Sequence, residues 1–219
     1  PTARNKFALE VLRLGQRLYS GQDRLAWCGV TAPFEVLNAM GINSCFVEFV
    51  GGMLSSTGGV GPFLEEAEHV GFLADGCGYH RAVIGATEKN MMSIPDLVIA
   101  TSSPCTGGIA AVEHLARKFD RPMYMLNVPP EDTEEGLQYL TAQLKGMVDF
   151  VTGVTGQTLD QDTLRVAVQR TNEAREHMFE AFRLAQKVPS PANAGELRNL
   201  GIVLGLFLGT EAGQEIAKA

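Results

Sequence analysis

The spacing of apolar residues changes period along this chain. Within residues 5–19, Phe7, Leu9, Val11, Leu12, Leu14 and Leu18 recur at helical intervals and predict a helix with a broad apolar side. Residues 24–30 (RLAWCGV) read as a short strand. Pro33 then opens a helix that Gly41 closes, the usual placement of the two helix punctuators. A second strand is predicted over 43–50 (NSCFVEFV), a Gly/Ser loop over 51–62 and a helix over 63–73. A short helix follows at 79–85. The unbroken apolar run 96–101 (DLVIAT), after Pro95, suits a parallel strand buried on both faces. A helix over 108–119 and a strand over 122–128 (PMYMLNV) complete the alternation, which stops at Pro129-Pro130. Beyond it only helical spacing is visible, over 133–151, 159–187 and 196–208, with Pro189 and Pro191 as punctuation.

This order predicts an α/β fold in three segments: an N-terminal helix (1–22), a parallel-sheet α/β domain (23–130) and a helical region (131–219). Composition narrows the class. The chain has 219 residues, 45% hydrophobic and 20% charged, which is ordinary for a globular protein with a sizeable core. A net charge of −7 argues against a general nucleic-acid footprint. The longest apolar stretch, 201–209 (GIVLGLFLG), is too short to cross a bilayer. No charged-then-apolar leader opens the chain, so the expected location is the cytoplasm. The last predicted helix is apolar on every side and calls for cover, as in a subunit of a tight complex or a fragment of a longer chain.

The candidate chemistry lies in four cysteines, all in the first half. They do not make a disulfide scaffold in a chain of this size, and no Cys-x-x-Cys is present to suggest a zinc ribbon. Cys105, in SSPCTGG, follows an apolar strand and precedes a helix start. There the N–H groups and the positive dipole end favour thiolate, at the strand end where open α/β sheets bind ligands. Cys77 sits between Gly76 and Gly78 in a loop, and Cys28 near the end of the first strand. Cys45, inside the second strand, reads first as a small hydrophobe. Thiolates from three separate βα loops meeting at one sheet edge would suit an iron–sulfur cluster. Buried structural cysteines are the bland reading of the same positions. Glu35, in the first turn after Pro33, lines that edge or simply favours the helix dipole. Ser102 and Ser103 are turn residues or hydrogen-bond donors to a cluster or an acyl carbonyl. His80, close after Cys77, reads as an exposed polar residue near the site. His69, His114 and His177 read as solvated or capping residues on helices. The Gly-rich segment 51–61 lacks the Lys-Ser/Thr ending of a phosphate-binding loop and the spacing of a dinucleotide fingerprint.

Three segments in this order resemble the 2-hydroxyacyl-CoA dehydratase / benzoyl-CoA reductase family. APFEVLNAMG (32–41) is similar to its Pro-x-Glu-(Leu/Ile)-x-x-Ala-x-Gly stretch, and CGYHRAVIG (77–85) to its Cys-Ser-Tyr-x-(Lys/Arg)-x-x-x-Gly segment. The string from Pro95-Asp96-Leu97-Val98 through Cys105, Glu113 and Leu115 to Pro122 and Pro129 is similar to its Pro-Asp-Leu-Val, Cys, Glu-x-Leu, Pro-(hydrophobic)-Asp-x-Pro series. Gly78 stands in place of the usual serine, Asn127 in place of a common aspartate, and Cys28 lies one residue further from Pro33 than the family cysteine.

The resemblance implies a Rossmann-like domain with helical parts and a [4Fe–4S] cluster held by three cysteines. Cys77 and Cys105 come first, Cys28 third, and Cys45 is a less favoured fourth. It also implies an acyl-CoA thioester substrate, a second family subunit as partner, and an ATP-dependent iron–sulfur activator that delivers one electron. The dehydratases of the family work through a ketyl radical, and its reductases dearomatise a ring. The expected function is thus the iron–sulfur subunit of a 2-hydroxyacyl-CoA dehydratase. A benzoyl-CoA reductase-type or double-cubane reductase subunit, and a non-catalytic or purely electron-transferring partner, stand as alternatives. Neither nucleic acid nor membrane is an expected partner.

Overall fold

A computed structural model describes residues 2–219; residue 1 of the first predicted segment lies outside them. In chain order the elements are α1 (Ala3–Ser20), β1 (Leu25–Cys28), α2 (Phe34–Ala39), β2 (Asn43–Phe46), α3 (Val47–Ser56), α4 (Gly61–His69), α5 (Gly78–Glu88), β3 (Leu97–Thr101), α6 (Thr106–Phe119), β4 (Met123–Leu126), α7 (Glu134–Thr155), α8 (Gln161–Ala185), α9 (Ala194–Gly201), a 3-10 turn (Val203–Phe207) and α10 (Glu211–Lys218). They form two units: Pro1–Asp23 with Pro33–Asn43 and Leu159–Ala219, and Arg24–Ala32 with Ser44–Thr158. The predicted α/β architecture is thus present, as a parallel sheet with many helices. Among the described residues no helix is long and apolar enough to cross a membrane.

The second unit carries the sheet, in the order β2-β1-β3-β4. β1 pairs with β3 in parallel, with Trp27 opposite Val98, and β3 pairs with β4 in parallel, with Ile99 opposite Tyr124. Every residue of β1 and β3 is buried, which explains their unbroken apolar reading. Trp27 is fully buried, and its indole N–H donates to the Ser93 carbonyl at 2.9 Å, so the polar edge of the ring is satisfied. From β1 the chain goes to one side of the sheet for β2, then returns to the other side for β3 and β4. The reversal falls between β1 and β3. Open α/β sheets leave a crevice at such a point, beyond the carboxyl ends of the strands.

α5 packs against α3, α4 and α6. Glycines make the close approaches possible. A Cβ on Gly85 would collide with the backbone carbonyl of Phe63 in α4, and one on Gly51 would come 2.7 Å from the Tyr79 carbonyl. This corrects two expectations. Residues 47–50 are not the end of a strand, and 51–56 are not a loop: together they form α3. The β-branched run and the paired glycines carry the opposite local signal, and packing overrides it. Gly51 is buried in α3 because that helix must seat on the α5 backbone.

The first unit is helical. α10 packs on α1 and α8. Phe7 of α1 meets Phe207 edge-on with ring centroids 6.3 Å apart, and Leu14, Leu18, Leu204, Leu206 and Ile216 are buried. Asn38 of α2 donates to the Leu208 carbonyl at 2.9 Å. The single helix expected over 196–208 is instead α9 and the 3-10 turn, and α10 follows. Gly209, at φ +81°, makes the break before α10, and Thr210 caps it. Asn193 and Glu196 form a capping box that fixes the start of α9.

Candidate functional site

The loops after β1 and β3 are stitched together at the sheet reversal. Gly29 N–H donates to the Ile99 carbonyl at 2.8 Å. A Cβ on Gly29 would collide with the Thr101 hydroxyl, so this position requires glycine. The Ser103 carbonyl accepts from the Thr31 hydroxyl at 2.6 Å and from Thr101 at 2.9 Å. The Ser102 hydroxyl accepts from the Val128 N–H at 2.8 Å, tying the β3 loop to the segment after β4. Both serines of the sequence reading therefore support the loop: Ser102 through its side chain, Ser103 through its carbonyl. That scaffold presents Cys105.

Cys105 is the N-cap of α6, in extended conformation, with its thiol exposed and making no capping bond. Cys77 is the N-cap of α5, likewise exposed and uncapped by its side chain. Its loop is held by Arg81, whose guanidinium donates to the Ala74 carbonyl at 2.7 Å and pairs with Glu68 of α4. α5 and α6 pack against one another. Each thiol thus stands at the N-terminal end of its own helix, open to solvent.

Beside the glycines that follow Cys105 lies a pair that sequence reasoning did not assemble. His80, in the first turn of α5, is buried rather than exposed. Its Nε2 lies 3.2 Å from Glu48 Oε1, in the first turn of α3. With Glu48 ionised, the ring N–H donates to the carboxylate. The other carboxylate oxygen is buried with no protein partner. Gly107 and Gly108 leave the pair its room. A Cβ on Gly107 would come 2.7 Å from His80 Nδ1 and 3.9 Å from Cys105 Sγ, and one on Gly108 would come 3.1 Å from Glu48 Oε1. The available signal was a carboxylate inside the apolar run FVEFV, but its partner lies 32 residues away. The far ends of α5 and α6 are clasped as well: Glu88 accepts from Lys118 at 2.7 Å and lies 2.9 Å from His114 Nε2. The Lys118 ammonium, with a smaller contribution from His114, holds the Glu88 carboxyl below its usual value.

Cys28 and Cys45 have a different setting. Both are fully buried, on the neighbouring strands β1 and β2. Burial pushes the Cys28 thiol well up, and the Glu48 carboxylate adds to the shift. Burial raises Cys45 too, followed by Cys28 and Glu48. Neither thiol reaches the surface: Cys28, the third expected ligand, lies in the sheet core. Among the described residues no three His, Cys, Asp or Glu side chains gather as a metal centre. The thiols open to solvent, the soft donors a thiolate-bound cluster would use, are those of Cys77 and Cys105. Glu35 belongs to the first unit, in the first turn of α2, where a Cβ on Gly209 would come 2.9 Å from its own Cβ.

Comparison with known proteins agrees with the motif reading. The chain is 26% identical over 205 residues to the alpha subunit of (R)-phenyllactyl-CoA dehydratase of Clostridium sporogenes, covering 90% of this chain and 50% of that protein. It is 24% identical over 200 residues to lactoyl-CoA dehydratase subunit alpha of Anaerotignum propionicum, covering 81% and 47%. Over 112 residues, 49% of this chain and 24% of the relative, it is 25% identical to (R)-2-hydroxyglutaryl-CoA dehydratase subunit alpha of Acidaminococcus fermentans. The chain spans about half the length of the first two of these relatives. Residues 29–219, which carry both exposed cap cysteines and the His80–Glu48 pair, match the family model of the 2-hydroxyglutaryl-CoA dehydratase D-component, and the chain belongs to that family.

Proposed function

We propose that this chain is part of the iron–sulfur subunit of a 2-hydroxyacyl-CoA dehydratase, in which Cys77 and Cys105 are thiolate ligands of a [4Fe–4S] cluster. The observation that carries the reading is the matched pair of exposed, uncapped thiols at the N-termini of two adjoining helices. When bound, the cluster supplies a Lewis-acid site for a thioester carbonyl and a relay for single electrons. The remaining work belongs to the protein. The α5 and α6 N-termini hold both cysteines at the surface, with no capping bond to compete for their sulfur atoms. The Thr31, Thr101 and Ser102 hydrogen bonds fix the loop that presents Cys105, and Arg81 fixes the one that presents Cys77. The matched relatives are all dehydratases of 2-hydroxyacyl-CoA thioesters, which favours loss of water over ring reduction as the reaction. Their designation as alpha subunits supports a second subunit as partner. An ATP-dependent iron–sulfur activator would supply the electron that such chemistry requires.

The test is anaerobic reconstitution with iron and sulfide, followed by analysis of both and by the visible absorbance. The wild-type chain should bind iron, and Cys105→Ala should not. Full iron and unchanged absorbance in Cys105→Ala would remove that residue from the site. A chain that takes up no iron would instead be a non-catalytic partner whose cysteines are structural.

A further inference from the structure

Directly beside the Cys77 cap is a cavity of about 300 Å³, lined by Gly51, Ser55, Val60, Leu64, Gly78 and Tyr79. We propose that it is the acyl side-chain subsite of the dehydratase reading above, on which it rests, and that it accepts an uncharged aliphatic or aryl group.

Three observations lead there. First, position: Gly78 and Tyr79 immediately follow Cys77, and Gly51 and Ser55 continue the face of α3 that begins with Glu48, at i+3 and i+7. The cavity therefore begins one residue after a cap cysteine and runs along the α3 face that Glu48 opens. Second, size: 300 Å³ lies at the low end for whole small-molecule pockets, which suits one side chain and not a coenzyme A moiety. The space at Gly78 is open, since nothing lies within 4 Å of a Cβ built there. Third, charge: the lining holds only two polar side chains, the hydroxyl-bearing Ser55 and Tyr79, and no ionisable cation. Arg81, the cation next along α5 from the lining, is engaged with Glu68 and the Ala74 carbonyl. A carboxylate-bearing acyl chain entering this half-open space would give up part of its hydration and gain no counter-charge from the lining, whereas an apolar one would gain contact with Val60, Leu64 and the Tyr79 ring.

Equilibrium binding of phenyllactyl-CoA, 2-hydroxyglutaryl-CoA and free coenzyme A to the chain tests this without recourse to turnover. The wild type should bind the aryl thioester more tightly than the acidic one. Ser55 is an exposed helix residue, so Ser55→Phe should fill the cavity without disturbing the core. It should weaken phenyllactyl-CoA binding by at least about tenfold while leaving free coenzyme A and iron content unchanged. Ser55→Arg should reverse the preference between the two thioesters, a gain that misfolding cannot imitate. Thioester binding that is tight but indifferent to both variants, or a wild-type preference for the acidic thioester, would overturn the subsite alone. Failure of the wild type to bind either thioester would overturn the subsite together with the dehydratase reading.

Discussion

Cys28 and Cys45 differ from Cys77 and Cys105 in nothing but their surroundings, and the surroundings decide their chemistry. The first pair lies on adjacent strands, without solvent exposure, with burial pushing both thiols away from ionisation. In such a place a cysteine is a small hydrophobe. The second pair caps two helices, exposed and over positive dipole ends. In such a place it is open to metal and to modifying reagents. The contrast sets the two exposed thiols one residue before a helix begins, Cys77 after the α4–α5 loop and Cys105 after β3.

The largest effect expected from this contrast is on iron. Cys77→Ala and Cys105→Ala should each abolish iron uptake, whereas Cys28→Ala and Cys45→Ala should retain it, as read by iron and sulfide content after anaerobic reconstitution. The next effect is on stability. Gly85→Ala should destabilise the fold by about 3 kcal/mol in urea unfolding, because the added methyl group meets the Phe63 carbonyl and the backbone under α5 has nowhere to go. Sharper still is a matched pair of substitutions. Cys45→Ser places a hydroxyl in the sheet core and should cost about 2 kcal/mol, whereas Cys105→Ser, at an exposed N-cap, should cost nothing or stabilise slightly.

The smallest effect concerns the clasp between α5 and α6. The folded-state pKa of Glu88 is depressed, chiefly by Lys118. Its contribution is therefore complete above the ordinary carboxylate range and fades as pH falls through the lowered folded value. Glu88→Gln should cost up to about 1 kcal/mol at neutral pH, a figure limited by solvent screening, and nothing in strong acid. A stability difference that instead grew on acidification would contradict the assignment.

Much of the frame was legible in the chain. Buried strands such as Leu97–Thr101 announce themselves as apolar runs, and Cys105 was placed correctly at a helix start because a strand, a proline and two glycines bracket it. Three features were not legible, each because a distant partner decides it. The helix α3 depends on Gly51 meeting the Tyr79 backbone. The burial of His80 depends on Glu48 and on two glycines of α6. Cys28 ends β1, and spacing alone does not say whether such a residue faces the core or the sheet edge; the paired strands put it in the core.

Thiol footprinting by alkylation, before and after reconstitution with iron and sulfide, tests the central claim most directly. Without metal, Cys77 and Cys105 should be modified and Cys28 and Cys45 should not. After reconstitution, Cys77 and Cys105 should become protected together, with the strand pair unchanged. Protection that falls on Cys28 or Cys45, or cap thiols that stay fully reactive in iron-loaded protein, would contradict the account.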